Sequence, residues 1–150
     1  MKITKKLAAA FVLAAIAGCT TCPVYKVNAT AATPGAENLA RGIAFDVNGG
    51  LLAKGYPMLA PGARLKSGQR LVAIDLEVER RETASLGDWR TYEGVVRASV
   101  TDGGKPAGAA EFRAGGERAD NETDAERGVR EALAKRVGEW VGGVSVPETK

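Results

Sequence analysis

Between Gln69 and Gly115 the chain alternates apolar and polar side chains with a period of two. Val72, Ile74, Leu76 and Val78 are interleaved with Ala73, Asp75, Glu77 and Glu79, the mark of a strand with one buried and one solvated face. Gly94, Val96, Ala98 and Val100 repeat the pattern, and Gly108, Ala110, Phe112 and Ala114 repeat it again. A one-residue slip would turn every side chain to the opposite face, so the apolar sets fix the pairing. A three-residue turn at Leu86-Gly87-Asp88 places Val78 opposite Val96 and Ile74 opposite Val100. A second at Gly103-Gly104-Lys105 places Val96 opposite Phe112 and Ala98 opposite Ala110. The same registers bring Arg81 opposite Glu93 and line up Glu77, Arg97 and Glu111 across three strands. The apolar faces do not impose that charge agreement. Each exposed pair contributes only some tenths of a kcal/mol, so the ladder supports the register more than the stability.

Two flanking segments carry a helical period instead. In 36–54, Leu39, Ile43, Val47 and Leu51 recur every fourth residue beside Ala36, Ala40 and Ala44, and Gly55 follows as a C-cap. A competing signal sits inside this segment. Asn48-Gly49-Gly50 also suits a hairpin, Ile43, Phe45 and Val47 alternate as a strand would, and each internal glycine costs a helix about 1 kcal/mol. Because Leu51 to Lys54 continue the stripe, a helix that bends at Gly49-Gly50 is the preferred reading. Tyr56-Pro57-Met58-Leu59 then reads as a short strand and Ala60 to Gly68 as a loop. Thr123-Asp124-Ala125-Glu126 is a capping box, in which hydroxyl and carboxylate satisfy backbone donors reciprocally. Val129, Ala132, Leu133, Val137, Trp140 and Val141 form an apolar helical face closed by Gly142-Gly143, with Trp140 expected to dock on the sheet. Val144-Ser145-Val146 is expected as a strand stub. The expected fold is α+β: a two-layer sandwich, an antiparallel β-meander with two helices packed on one face and the charge ladder on the other.

The N-terminus speaks of location. Lys2, Lys5 and Lys6 precede an uncharged apolar run from Leu7 to Ala17, the grammar of an export signal. The run is shorter than the roughly 20 apolar residues a membrane span needs. Ile16-Ala17-Gly18-Cys19 resembles the lipobox of bacterial lipoproteins. That resemblance implies cleavage before Cys19, lipidation of its sulfur by a diacylglycerol, and anchoring in a bilayer. In enteric members an Asp after the cysteine retains the protein in the inner membrane, so Thr20 implies the outer membrane of a Gram-negative cell. The expected division is a signal peptide over 1–18, a lipidated tether over 19–35 and a single domain over 36–150. Within the tether only Val24-Tyr25-Lys26-Val27 has the character of a short edge strand. Stretched out, residues 20–37 reach about 60 Å at ~3.3 Å each.

Composition narrows the chemistry. Of 21 basic and 18 acidic side chains, three lysines lie in residues 1–18, which leaves the mature chain with eighteen of each. A formally neutral domain has no general pull on phosphate, so no nucleic-acid partner is expected. Histidine is absent, which removes the usual general base and the commonest nitrogen ligand for metals. Cys19 and Cys22 have redox-pair spacing, but lipidation would consume the first, leaving Cys22 to be acylated, paired between molecules or merely tolerated. No cofactor, metal or catalytic set is expected. The glycine clusters lack the lysine and hydroxyl of a phosphate loop, and Ser67, Ser85 and Ser99 sit in no nucleophile-elbow pattern.

A helix ending in Ala53-Lys54-Gly55-Tyr56, long strands with a polar hairpin, and an Ala-rich helix from Ala125 to Trp140 resemble small periplasmic lipoproteins of the YajG-like kind. More distantly, they resemble the α/β domains of cell-wall synthase activators and of the TolB N-terminal region. The resemblance implies an accessory or scaffolding lipoprotein and supplies no catalytic residues. Two surfaces stand out. Asp75, Glu77 and Glu79 lie on one strand face and suit either a hard cation or an acid and base pair, against the plainer reading of a strand face neutralised by Arg81, Arg97 and Arg113. Arg80, Arg81, Arg90 and Arg97 suit an anion site or a salt-linked surface. Trp89, at the start of a strand, is the aromatic expected at a partner contact or packed locally on Arg81. The candidate partner surface is therefore Trp89, Arg81, Arg97 and Glu77. The expectation is a non-catalytic accessory module bound to the bilayer through Cys19 and to an envelope protein. The alternatives are a ligand-binding or enzymatic domain using the acidic and arginine face, or an inhibitor-like protein capping an envelope enzyme.

Overall fold

The computed structural model describes residues 22–86, 89–115 and 122–144, with side chains over 22–82, 91–115 and 123–144. The lipobox, Cys19 included, lies outside the described residues. The chain order is β1 (Cys22–Ala31), α1 (Glu37–Ala53), β2 (Gln69–Leu86), β3 (Trp89–Asp102), β4 (Lys105–Gly115) and α2 (Glu122–Gly143). The four strands form one sheet in that order, and α1 and α2 pack side by side on one face of it. The fold is the expected two-layer α+β sandwich.

The sheet is mixed rather than a pure meander. β1 pairs parallel to β2 over ten residues, from Cys22 opposite Gln69 to Ala31 opposite Val78, and α1 makes the crossover that parallel neighbours require. The segment expected as tether is therefore, from Cys22 to Ala31, an edge strand of the sheet. Tyr25, Val27 and Ala29 turn toward the helices, and Lys26, Asn28 and Thr30 toward the open face. The free edge of β1 is covered at its middle, where the Tyr25 N–H donates to Pro57 O at 2.8 Å and the Leu59 N–H to Tyr25 O at 2.8 Å. This single bridge is all that forms of the strand expected at Tyr56 to Leu59.

Both antiparallel registers match the apolar pattern: Val78 with Val96, Ile74 with Val100, Val96 with Phe112 and Ala98 with Ala110. The turns do not. Leu86 pairs with Trp89 and Asp102 with Lys105, so each hairpin closes around two residues rather than three. A two-residue loop alone would set Val78 opposite Arg97 and Val96 opposite Glu111. A bulge in each hairpin, between Glu82 and Ala84 and between Val100 and Thr101, restores the apolar alignment. Gly103 and Gly104 both have positive φ, 59° and 85°, as the favoured two-residue hairpin turn demands.

α1 runs through Gly49-Gly50 without a break. Its buried stripe, Leu39, Ile43, Val47 and Leu51, lies on both sides of the glycines and seats each half in the core, which outweighs their propensity cost. Gly55 ends it as expected, with φ at 87°. The Tyr56 N–H donates to Leu51 O at 3.1 Å and the Gly55 N–H to Leu52 O at 3.0 Å, the paired bonds that satisfy orphan carbonyls at a helix end. Tyr56 then meets Tyr25 edge to face with centroids 5.0 Å apart. α2 begins one residue before the expected cap Thr123, and Glu126 reaches Arg80 at 3.5 Å. Trp140 docks on the sheet as expected, with its ring 5.9 Å from that of Phe112. Val144 continues the end of α2, its N–H donating to Trp140 O at 3.1 Å, and the rest of the expected strand stub lies outside the described residues.

Candidate functional site

The helices cover one face of the sheet, and the other face is open. Alternation in the four strands delivers to it Asn28 and Thr30 from β1, Asp75, Glu77, Glu79 and Arg81 from β2, Glu93, Arg97 and Ser99 from β3, and Glu111 and Arg113 from β4. Arg97 is the hub. Its guanidinium lies 3.5 Å from Glu77, 3.3 Å from Glu79 and 3.3 Å from Glu111. Arg81 donates to Glu79 at 2.6 Å, and Arg113 reaches Glu111 at 2.9 Å and Glu93 at 3.8 Å. Asn28 donates to Asp75 at 3.1 Å. Val95 also faces this side yet is fully buried, with Glu79 and Arg113 standing beside it in register. The arginine stems thus act as its roof.

The network sets protonation as well as shape. The hydrogen bond from Arg81 holds the Glu79 carboxyl below the usual glutamate range, and the charge of Arg97 adds to it. The hydrogen bond from Arg113, with Arg97 behind it, does the same for Glu111. Both therefore stay ionised at neutral pH and are poor general acids. A group whose folded pKa is depressed lends stability above its unfolded value and loses it as the pH falls through the folded one. Glu79→Gln is accordingly expected to lower the urea midpoint at neutral pH, with the gap to wild type closing on acidification below about pH 4. A gap that is constant with pH would show that the charge plays no part.

Beside the arginine ladder the face sinks into a shallow trough of about 550 Å³, lined by Asn28, Thr30, Asp75, Glu77, Arg97, Ser99 and Glu111. Small side chains make it: Ser99 and Ala109 sit between the strands' longer charged neighbours. With five carboxylates (Asp75, Glu77, Glu79, Glu93 and Glu111) against three arginines (Arg81, Arg97 and Arg113) and Lys26, the face is acidic by one charge and suits cationic or hydrogen-bonding groups. Among the described residues no group of three or more Cys, Asp or Glu is arranged to hold a metal ion.

Arg81, Arg97 and Glu77, expected together, are together. Arg80 is not with them. It points to the helix face, where it stacks over Tyr92 at 3.9 Å and reaches Gly35 O at 3.3 Å and Glu126. The proposed four-arginine anion site is thereby split across the sheet, and Arg90's side chain lies outside the described residues. Trp89 opens β3 opposite Leu86, and its side chain too lies outside them; Arg81 is engaged by Glu79. The surface residue that sequence reading missed is Phe45, 79% exposed on the outer side of α1, with Leu52 two turns along at 59%. The seven-residue spacing of Phe45 and Leu52, off the buried stripe, was the available signal.

No protein-family model matches the sequence, and comparison with curated proteins finds no match. Among solved structures, a "putative lipoprotein" from Caulobacter crescentus aligns over 86% of this chain and 96% of that one, at 11% identity and a TM-score of 0.43. A minor lipoprotein from Acinetobacter baumannii is similar over 81% of this chain and 91% of that one, at 12% identity and a TM-score of 0.56, which shows a shared fold.

Proposed function

We propose that this chain is a bacterial lipoprotein, held to a membrane through Cys19, that serves the cell envelope as a non-catalytic accessory module and meets its partner on the open sheet face. The observation that carries this reading is the arginine and glutamate lattice. It spreads mutually engaged charges over three strands and holds Glu79 and Glu111 in the ionised form, which suits recognition of a surface better than proton transfer. The lipobox residues supply the anchor, and Thr20 favours the periplasmic side of the outer membrane. The fold shared with a minor lipoprotein is consistent with both. The trough beside Arg97 favours a second reading, a small polar ligand held between Asn28, Asp75 and Glu77.

A photo-crosslinking side chain at Ser99 in living cells tests the first reading. The expected result is one envelope protein captured from Ser99 and not from Asn48 on α1. Arg97→Glu should weaken capture about tenfold or more while changing stability by no more than about 1 kcal/mol. Absence of any protein adduct, with small-molecule binding lost in Glu77→Ala, would replace the interaction reading with the ligand one. Capture of an envelope hydrolase would specify an inhibitor.

A further inference from the structure

We infer that the end of the domain where β1 begins is a docking surface for anionic lipid headgroups, so that the domain stands on its membrane with the strands upright. This rests on the reading of Cys19 as the lipid anchor. The strand order supplies the geometry. Cys22 pairs with Gln69, its N–H donates to Gly68 O at 2.6 Å, and the turn after β3 folds back beside them, with the Gly103 N–H donating to Leu71 O at 2.9 Å. Lys66 is tied to the same corner, its N–H donating to Gln69 Oε1 at 2.9 Å and its carbonyl accepting from the Gln69 N–H at 3.1 Å. The chain from α1 to β2 and the Gly103-Gly104 turn therefore share one end of the sheet.

That end is basic. From Val47 to Ile74 the chain has no acidic side chain but has Lys54, Arg64, Lys66 and Arg70, and Lys105 stands at the turn. Arg70 is committed to Asp102 at 2.6 Å. Lys54, Arg64, Lys66 and Lys105 are exposed, and none is ion-paired among the described residues. Leu65, between two of them, is 42% exposed, giving the apolar tip and basic flanks of an interfacial contact. The opposite end, by contrast, carries charges of both signs that are paired with one another, Arg80 with Glu126, Arg113 with Glu93 and Arg127 with Asp124. Cys19 is three residues from Cys22, about 10 Å of chain at ~3.3 Å each. An anchor that short brings the basic end to a distance comparable with the Debye length, ~8 Å, from the headgroups. Charge complementarity and the short link from Cys22 to Cys19 thus select the same occupant, the anionic bilayer surface.

The test uses the full lipidated protein with a fluorophore at Leu65→Cys in a Cys22→Ser background, reconstituted into vesicles containing a quencher-bearing lipid. Quenching is expected in phosphatidylcholine vesicles containing phosphatidylglycerol, and much less in phosphatidylcholine alone. Each of Lys54→Glu, Arg64→Glu and Lys66→Glu should cut the anionic preference about fivefold, and high salt should abolish it. A fluorophore at Arg127→Cys, at the far end, should stay unquenched. The glutamine variants at the same positions give a milder second series should a reversal disturb folding. Equal quenching in both lipids, no response to charge removal, or quenching at Arg127→Cys instead would overturn the docking surface. Flotation with neutral vesicles separates the two claims: a protein that floats without the Leu65 signal keeps its anchor and loses this surface, whereas failure to float overturns both.

Discussion

Gly94→Ala should destabilise the domain by about 2 kcal/mol, read as a lower urea midpoint with an unchanged slope. Gly94 occupies an inward position of β3, between Tyr92 and Val96, where alternation would ordinarily place a large apolar side chain. A methyl built there comes within 2.7 Å of Leu133 Cδ1 and 2.7 Å of Val129 Cγ1, and 3.4 Å from Leu39 Cδ2. Leu133 and Leu39 are fully buried, so neither can swing away without disturbing other packed neighbours. The absent side chain is what lets α2 approach the middle of the sheet. Leu133→Ala alone should cost about 3 kcal/mol through the cavity it leaves. The double variant should cost less than the sum, because the cavity admits the new methyl. Strict additivity would mean that Gly94 is not at this contact.

The other large effect concerns location. Cys19→Ser should move the protein from the membrane to the soluble fraction. No helix among the described residues is long and apolar enough to cross a bilayer. Two acyl chains on one sulfur hold a protein firmly, since each buried methylene contributes about 0.8 kcal/mol, whereas basic side chains alone give reversible association. Mass spectrometry of the mature N-terminus should find the lipid on Cys19 of the wild type. A variant that still sediments with membranes would refute the anchor.

The parity of the strands was legible from the sequence, and almost everything decided by parity came with it. Val72 to Val78 facing one way forces Glu77 and Glu79 the other way, and the two registers then place Arg97 among three glutamates. Loop chemistry was not decided by parity. A three-residue turn and a two-residue turn with a bulge both set Val96 opposite Phe112, and only the pair of left-handed glycines, Gly103 and Gly104, distinguishes them. β1 was hidden for a different reason. Tyr25, Val27 and Ala29 alternate weakly within a Thr, Ala and Pro background, and the partners that give them meaning lie 47 residues later in the chain. Parity would also have separated Arg80 from Arg81, but nearness in sequence grouped them. Phe45 was weighed only within the competing strand signal, and the preferred helix was not followed through to the outer face on which it leaves this ring exposed.

The parallel pairing of β1 with β2 also determines how the domain bears mechanical load. In the proposed arrangement, a pull between a Cys19 anchor and a partner on the open face would enter at Cys22 and run along the axis of β1. The hydrogen bonds to β2 lie across that axis, and the ten register pairs from Cys22 to Ala31 share the force in shear rather than parting one at a time. The strand that joins the domain to its tether is placed as a strap sewn along its length.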